Sequence, residues 1–268
     1  MLGYAPAPVP ASVQVRLITT ATSGLCNRLK GWVSAMRIDE SVRVIWPVND
    51  SCKMPFSVLF ANDCEIPVIL PGSRVLRDEW RLMVWSCDPV PVGFSTHKTF
   101  GSCTGHRDID FEYDRIPESV RTTYIRLLAR IRIQPLLQKI VDEYAVRHFN
   151  GPIVGVHVRS WVDAHDRKQL GIAETFHKAM QVERTRQPGT RFFVASDSVD
   201  IKRTLDTTFD GLPTPEGTAA QSPLVELLLL SRCTKLLGTY ISTFTEMAWW
   251  FSACTMPVVI VDTPSNQS

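Results

Sequence analysis

A chain of 268 residues, 44% hydrophobic and 21% charged, has the composition of a folded globular protein and excludes a disordered one. Its length accommodates one large domain or two of ordinary size. A net charge of +2 gives no reason to expect a nucleic-acid partner, and no stretch approaches the ~20 apolar residues that span a bilayer.

Residues 1–12 are rich in Pro and Ala and lack a basic segment leading into an apolar one, so they read as a loose lead-in rather than a signal peptide. Residues 13–20 carry Val, Leu and Ile at strand density. Ser23-Gly24 breaks that strand, and 25–38 has helical spacing, with Leu25, Leu29, Trp32, Val33 and Met36 on one side. Residues 42–46 are a second strand, which completes the length of a parallel crossover unit. Residues 47–115 mix prolines, glycines and aromatics and read as short strands joined by long loops, in no assignable order. A helical pattern returns over 117–149, split in two by Pro135, with Arg121, Arg126, Arg130 and Arg132 forming a solvated side.

Asn150-Gly151-Pro152 is a sharp stop, and the domain boundary is expected there, separating 13–150 from 151–268. Beyond it, 153–158 is a strand, 173–186 a helix, 191–195 a strand and 199–205 a short helix. A polar loop leads to Ser222, a candidate cap for a helix over 224–232. Strand 235–238, helix 243–254 and strand 258–261 follow. This alternation specifies an α/β fold with a doubly wound parallel sheet.

The seven cysteines, Cys26, Cys52, Cys64, Cys87, Cys103, Cys233 and Cys254, contain no Cys-x-x-Cys pair and are odd in number. A zinc ribbon or a complete disulfide framework is therefore not expected. Reduced, packed thiols fit a soluble, cytoplasmic protein.

The run Val154-Gly155-Val156-His157-Val158-Arg159 leads a buried strand into two polar residues that do not belong in an apolar core. In an α/β sheet, ligands bind beyond the carboxyl ends of the strands, and an arginine's planar fork grips two phosphate oxygens at once. Ser196-Asp197 and Thr239 with Ser242-Thr243 mark the ends of two further strands, so all three marks fall on one edge of the sheet. Ser242 and Thr243 also open a helix, where backbone N–H groups favour an anion. Two readings stand at each position. Asp197 either caps its helix or accepts hydrogen bonds from a sugar or base, and Ser242-Thr243 either cap theirs or bind phosphate. His157 is either a satisfied core histidine or a ligand contact.

Val156-His157-Val158-Arg159 resembles the His-x-Arg motif of the fucosyltransferase superfamily, which includes the bacterial nodulation α-1,6-fucosyltransferase and the protein O-fucosyltransferases. Residues 192–197 are similar to the family's second motif, and residues 226–232 with 237–243 to its third. Ser23-Gly24-Leu25-Cys26-Asn27-Arg28 resembles its N-terminal glycine–asparagine turn. The resemblance implies two Rossmann-like domains facing a cleft, the GT-B arrangement. Residues 13–150 would lie on the acceptor side, and 151–268 would hold the nucleotide sugar GDP-fucose. It further implies inverting transfer to a glycan hydroxyl with no metal or other cofactor. Arg159 would hold the diphosphate, and His157 and Asp197 would contact the nucleotide. Ser242 and Thr243 would meet the phosphates, while Gly24, Asn27 and Arg28 approach the donor from the first domain.

The chain departs from that pattern in two places. Ser160 stands where many members have a second arginine, which leaves another nucleotide-sugar donor, a UDP- or GDP-linked pentose or hexose, as an alternative. Asp163 and Asp166, with His165 between them, compete for the role of general base, and solvated loop charges are the other reading of both. A non-catalytic nucleotide- or glycan-binding module is a further alternative. Asp108-Ile109-Asp110 has the spacing of a divalent-metal clamp but reads as a loop. Acceptor, linkage and oligomeric state stay open.

Overall fold

The computed structural model describes residues 15–19, 24–65, 74–78, 118–160, 171–217, 222–239 and 242–261. β1 (Val15–Thr19), α1 (Leu25–Ile38) and β2 (Arg43–Ile45) form the expected crossover, because parallel neighbours need a dozen or more residues between them. After the short α2 (Phe56–Leu59), β3 (Arg74–Asp78) pairs with the other edge of β1, giving a parallel sheet of order β2-β1-β3. Leu17 lies opposite Val44 on one side and Leu76 on the other. α3 (Glu118–Leu128) and α4 (Pro135–His148) divide near Pro135 as the sequence predicts. The proline sits in the first turn of α4, where its missing N–H costs no helical bond. The paired carboxylates Asp108 and Asp110 lie outside the described residues.

The second sheet is built from β4 (Ile153–Val158), β5 (Arg191–Ser196), β6 (Lys235–Thr239) and β7 (Val258–Val261), all parallel, in the order β5-β4-β6-β7. Between the strands run α5 (Ile172–Arg186), α6 (Val199–Phe209), α7 (Pro223–Leu230) and α8 (Thr243–Phe251). Every residue of β4 is buried, as a strand covered on both faces requires. Strand alternation sends Val154, Val156 and Val158 to one face, against Phe176 and Met180 of α5 and Leu205 of α6. Ile153, Gly155 and His157 fall on the opposite face. A Cβ at Gly155 would lie 3.0–3.2 Å from Leu230, Cys233 and Leu236, so the missing side chain lets the end of α7 approach the sheet.

Three helices end differently from the sequence expectation, α7 at Leu230 rather than at residue 232. α6 continues past Leu205 to Phe209, a buried ring that packs on Phe192, and stops where Asp210 turns left-handed at φ 49°. α8 stops at Phe251 rather than at residue 254, because Ala253 and Cys254 both take positive φ and turn the chain toward β7.

One apolar cluster joins the two sheets' helices. It contains Leu29, Trp32 and Val33 of α1, Phe56 and Phe60, Tyr124 of α3, the leucines of α7, and Trp249 and Trp250 of α8. Trp32, Phe56 and Phe60 meet pairwise at centroid distances of 5.1–5.3 Å, the tilted and edge-on packing that aromatic quadrupoles prefer. Inside this cluster lies an ion pair. Lys30 Nζ of α1 is 2.5 Å from Glu246 Oε2 of α8, with side chains only 3% and 1% exposed. Burial raises the Glu246 carboxyl above its ordinary range, and the Lys30 charge opposes that rise.

A buried charge that loses its partner is far more costly than a buried pair. Lys30→Met should therefore destabilise the protein by about 3–5 kcal/mol in urea unfolding. Lys30→Met combined with Glu246→Leu should recover most of that loss. A single variant as stable as the parent would show that the pair is solvated in solution.

Candidate functional site

Parallel strands bring the carboxyl ends of β4, β5 and β6 to one edge, and polar groups there bond across the strands. The Arg159 backbone N–H donates to Thr239 Oγ1 at 2.9 Å, and the Thr239 hydroxyl donates to the His157 carbonyl, also at 2.9 Å. Asp197 Oδ1 accepts from the Ser160 N–H at 2.7 Å and from the Ser160 hydroxyl at 2.9 Å. Asp197 Oδ2 lies 2.8 Å from an Arg159 guanidinium nitrogen. Thr239 and Ser160 are buried, whereas the Arg159 side chain is 42% exposed. The guanidinium is thus held by Asp197 on a side chain that is partly exposed.

His157 occupies the inner layer of this edge. Its Nδ1 is 2.8 Å from Thr245 Oγ1 and 3.5 Å from Ser242 Oγ, and its ring stacks on Phe244 at 4.8 Å. Burial pushes the imidazole down to about 3. The Asp197 charge opposes that fall and the Arg159 charge adds to it, so the ring is neutral at pH 7. Gly238 makes room for this contact, since a Cβ there would come within 2.2 Å of the Thr245 methyl group.

The sequence left capping roles open at two positions. Ser198, not Asp197, caps α6, accepting from the Ile201 N–H. Ser242 holds the N-cap position of α8, but its hydroxyl makes no capping bond and turns toward His157 instead. Thr243, the first residue of α8, is half-buried beside it. Arg159, Asp197, His157 and Ser242 therefore belong to one constellation. Asp163 and Asp166, the candidate bases, lie outside the described residues.

From the first sheet, Gly24 is the N-cap residue of α1 and Asn27 is half-buried in its first turn. Arg28 is fully buried, donating to the Pro47 carbonyl at 2.6 Å and lying 5.0 Å from the Trp46 ring centroid. Those contacts brace the segment after β2. The Lys30–Glu246 pair brings the second turn of α1 against the first turn of α8, so the ends bearing Asn27 and Ser242 are neighbours.

Sequence reasoning missed Thr245, Lys30 and Glu246. A signal for Glu246 was present: it is the one charge in 244–251, whose other residues are apolar apart from Thr245, and a buried acid needs a partner.

No family model matches the sequence, and no curated protein sequence matches it. Solved structures do match in fold. NodZ α-1,6-fucosyltransferase co-crystallised with GDP is 17% identical, with 95% of this chain and 97% of that chain covered, at a TM-score of 0.56. The fucosyltransferase NodZ from Bradyrhizobium is also 17% identical, with 94% and 97% covered, at 0.54. POFUT1 in complex with GDP is 12% identical, with 95% and 100% covered, at 0.53. The fold is that of these fucosyltransferases. The resemblance carried by four short motifs thus extends over nearly the whole chain as a likeness of architecture.

The neutral, buried His157 makes stability depend on pH with a definite sign. Its folded pKa of about 3 lies below its ordinary value of 6.5. As pH falls through 6.5 the unfolded chain takes up a proton that the native state refuses, so this contribution to stability is present above that pH and is lost toward 3. The loss should approach about 1.4 kcal/mol per pH unit. Urea unfolding between about pH 7 and pH 5 should give a shallower dependence for His157→Asn than for the parent, and identical slopes would contradict a neutral buried ring.

Proposed function

We propose that the protein is an inverting, metal-independent glycosyltransferase that moves fucose from GDP-fucose to a glycan hydroxyl. The observation that carries this reading is the Arg159 constellation: a partly exposed arginine whose main chain is held by Thr239 and whose guanidinium is held by Asp197, at the carboxyl edge of a parallel sheet in a fucosyltransferase fold. The two sheets correspond in this reading to two Rossmann-like domains, divided near residue 150, with the donor held against the second.

The chemistry follows from the groups available. The acceptor oxygen attacks the anomeric carbon as the bond to the diphosphate oxygen breaks, and the acceptor proton passes to Asp163 or Asp166. Negative charge grows on the departing GDP, where Arg159 and the N-terminal end of α8 at Ser242 and Thr243 meet it. These supply the cationic stabilisation without a metal. Gly24 and Asn27 approach the donor from α1. Arg28 supports them through its bond to Pro47. His157, neutral and held by Thr245, shapes the donor site beneath the phosphates. The buried thiols Cys26, Cys52, Cys233 and Cys254 support a cytoplasmic location. One observation favours a second donor: Ser160, where a second arginine would otherwise serve the diphosphate, is buried and turned onto Asp197.

The test is a thermal-shift panel of GDP, UDP, GDP-fucose and UDP-sugars with EDTA present, followed by turnover. A ligand at a hundred times its Kd should add about 2.7 kcal/mol of stability. Stabilisation by GDP and GDP-fucose is expected. A UDP preference would change the donor, and binding without turnover would make the protein a binding module. Arg159→Ala should lower turnover by about 10²-fold, and near-normal turnover would remove Arg159 from the chemistry. Replacing Asp108 and Asp110 with Ala should leave activity intact. Loss of activity restored by manganese would establish a metal-dependent enzyme instead.

A further inference from the structure

We propose that Asp197 is a positioning residue for Arg159, set in place by Ser160, and that its carboxylate competes with a bound diphosphate for the same guanidinium. The inference rests on the reading of Arg159 as the diphosphate-binding group. Asp197 Oδ1 accepts two hydrogen bonds from Ser160, at 2.7 and 2.9 Å, and Ser160 is 3% exposed. Two donors from one buried residue fix the plane of the carboxylate. Its other oxygen then lies 2.8 Å from the guanidinium. The backbone of Arg159 is fixed independently through Thr239. A long side chain, 42% exposed, is thereby restrained at both ends before any ligand arrives. Preorganisation of this kind lowers the ordering cost of the bound state and keeps the cation aimed where charge develops.

The same geometry has an electrostatic consequence of opposite sign. A diphosphate gripping Arg159 is a second anion beside Asp197, and two anions around one cation repel each other. Asp197 therefore weakens the hold on GDP while it aligns the arginine that stabilises GDP as it leaves. Ser160 completes this arrangement. At the position where the resemblance places a second arginine, the chain carries a short hydroxyl that closes onto the carboxylate, so the orienting role replaces a second positive charge. The spacing also explains why Asp197 is free of a capping role: Ser198 caps α6 in its place.

The experiment compares the full-length protein with Asp197→Asn, Ser160→Ala and Ser160→Thr. GDP affinity is read by calorimetry, and kcat by turnover of GDP-fucose. Asp197→Asn should bind GDP about two- to fivefold more tightly, the scale of one exposed charge interaction, while kcat falls about tenfold or more. Ser160→Ala should keep GDP affinity within about twofold and lower kcat several-fold, and Ser160→Thr should recover most of that loss. A carboxylate that merely supports the fold, or that itself contacts the nucleotide, would lose affinity and kcat together in Asp197→Asn. That result, or a Ser160→Ala variant with parental kcat, would overturn the proposal. Failure of the parent protein to bind GDP would instead remove the reading of Arg159 itself, and the proposal with it.

Discussion

The buried pair of Lys30 and Glu246 is the constraint on which the arrangement of this protein depends. It joins residues 216 positions apart, one on a helix that follows the first sheet's β1 and one on a helix that follows the second sheet's β6. Both helices begin at the carboxyl edges of their sheets, so tying their early turns together sets those edges beside each other. Apolar packing around the pair, from Trp32 and Leu29 to Trp249 and Trp250, could be satisfied by several rotations of α1 against α8. A single short ion pair is satisfied by few. The desolvation of two charges offsets much of their attraction, so the pair contributes more to the choice of arrangement than to net stability.

Within that frame, the second sheet's edge is organised by side chains that bond between strands. Thr239 on β6 holds the main chain at Arg159, and Asp197 beyond β5 holds its guanidinium. Thr245 on α8 holds His157, and Gly238 vacates the space that Thr245 fills. Elements distant in sequence therefore converge on His157, near the end of β4, and on Arg159, just beyond it. The layers differ in polarity: the inner one, around His157, is buried and neutral, while the outer one, around Arg159 and Asp197, carries the charge.

Much of the second half was legible because its strands are bounded by clear breaks. β4 and β7 coincide with the runs read from β-branched residues alone, and α1 with its apolar spacing. The end of α6 was not legible, because Thr207 and Thr208 are poor helix formers and tertiary packing of Phe209, on Phe192, His177 and Arg184, carries the helix through them. At the site, the sequence placed His157, Arg159, Asp197 and Ser242 on one edge, since parallel topology makes strand ends converge. It could not distinguish a cap from a contact at Asp197 or Ser242, because that choice depends on partners 37 and 85 residues away. Lys30 escaped for a similar reason: it reads as an ordinary charge until it is seen to be buried against Glu246.

The division of labour among the basic residues follows from burial. Lys30 is neutralised by Glu246, and Arg28 is buried over Trp46 with a bond to a carbonyl. His157 is too deeply buried to carry a proton near neutrality. Each of these groups is fixed by what surrounds it, and none presents a positive charge to solvent. Among the described residues brought together here, Arg159 is the cation whose side chain reaches the surface. A neutral histidine beneath it has a physical advantage over a charged one. A second cation behind the first would repel the guanidinium and loosen its contact with Asp197, whereas a neutral ring fills the same space and leaves the field at the edge to Arg159.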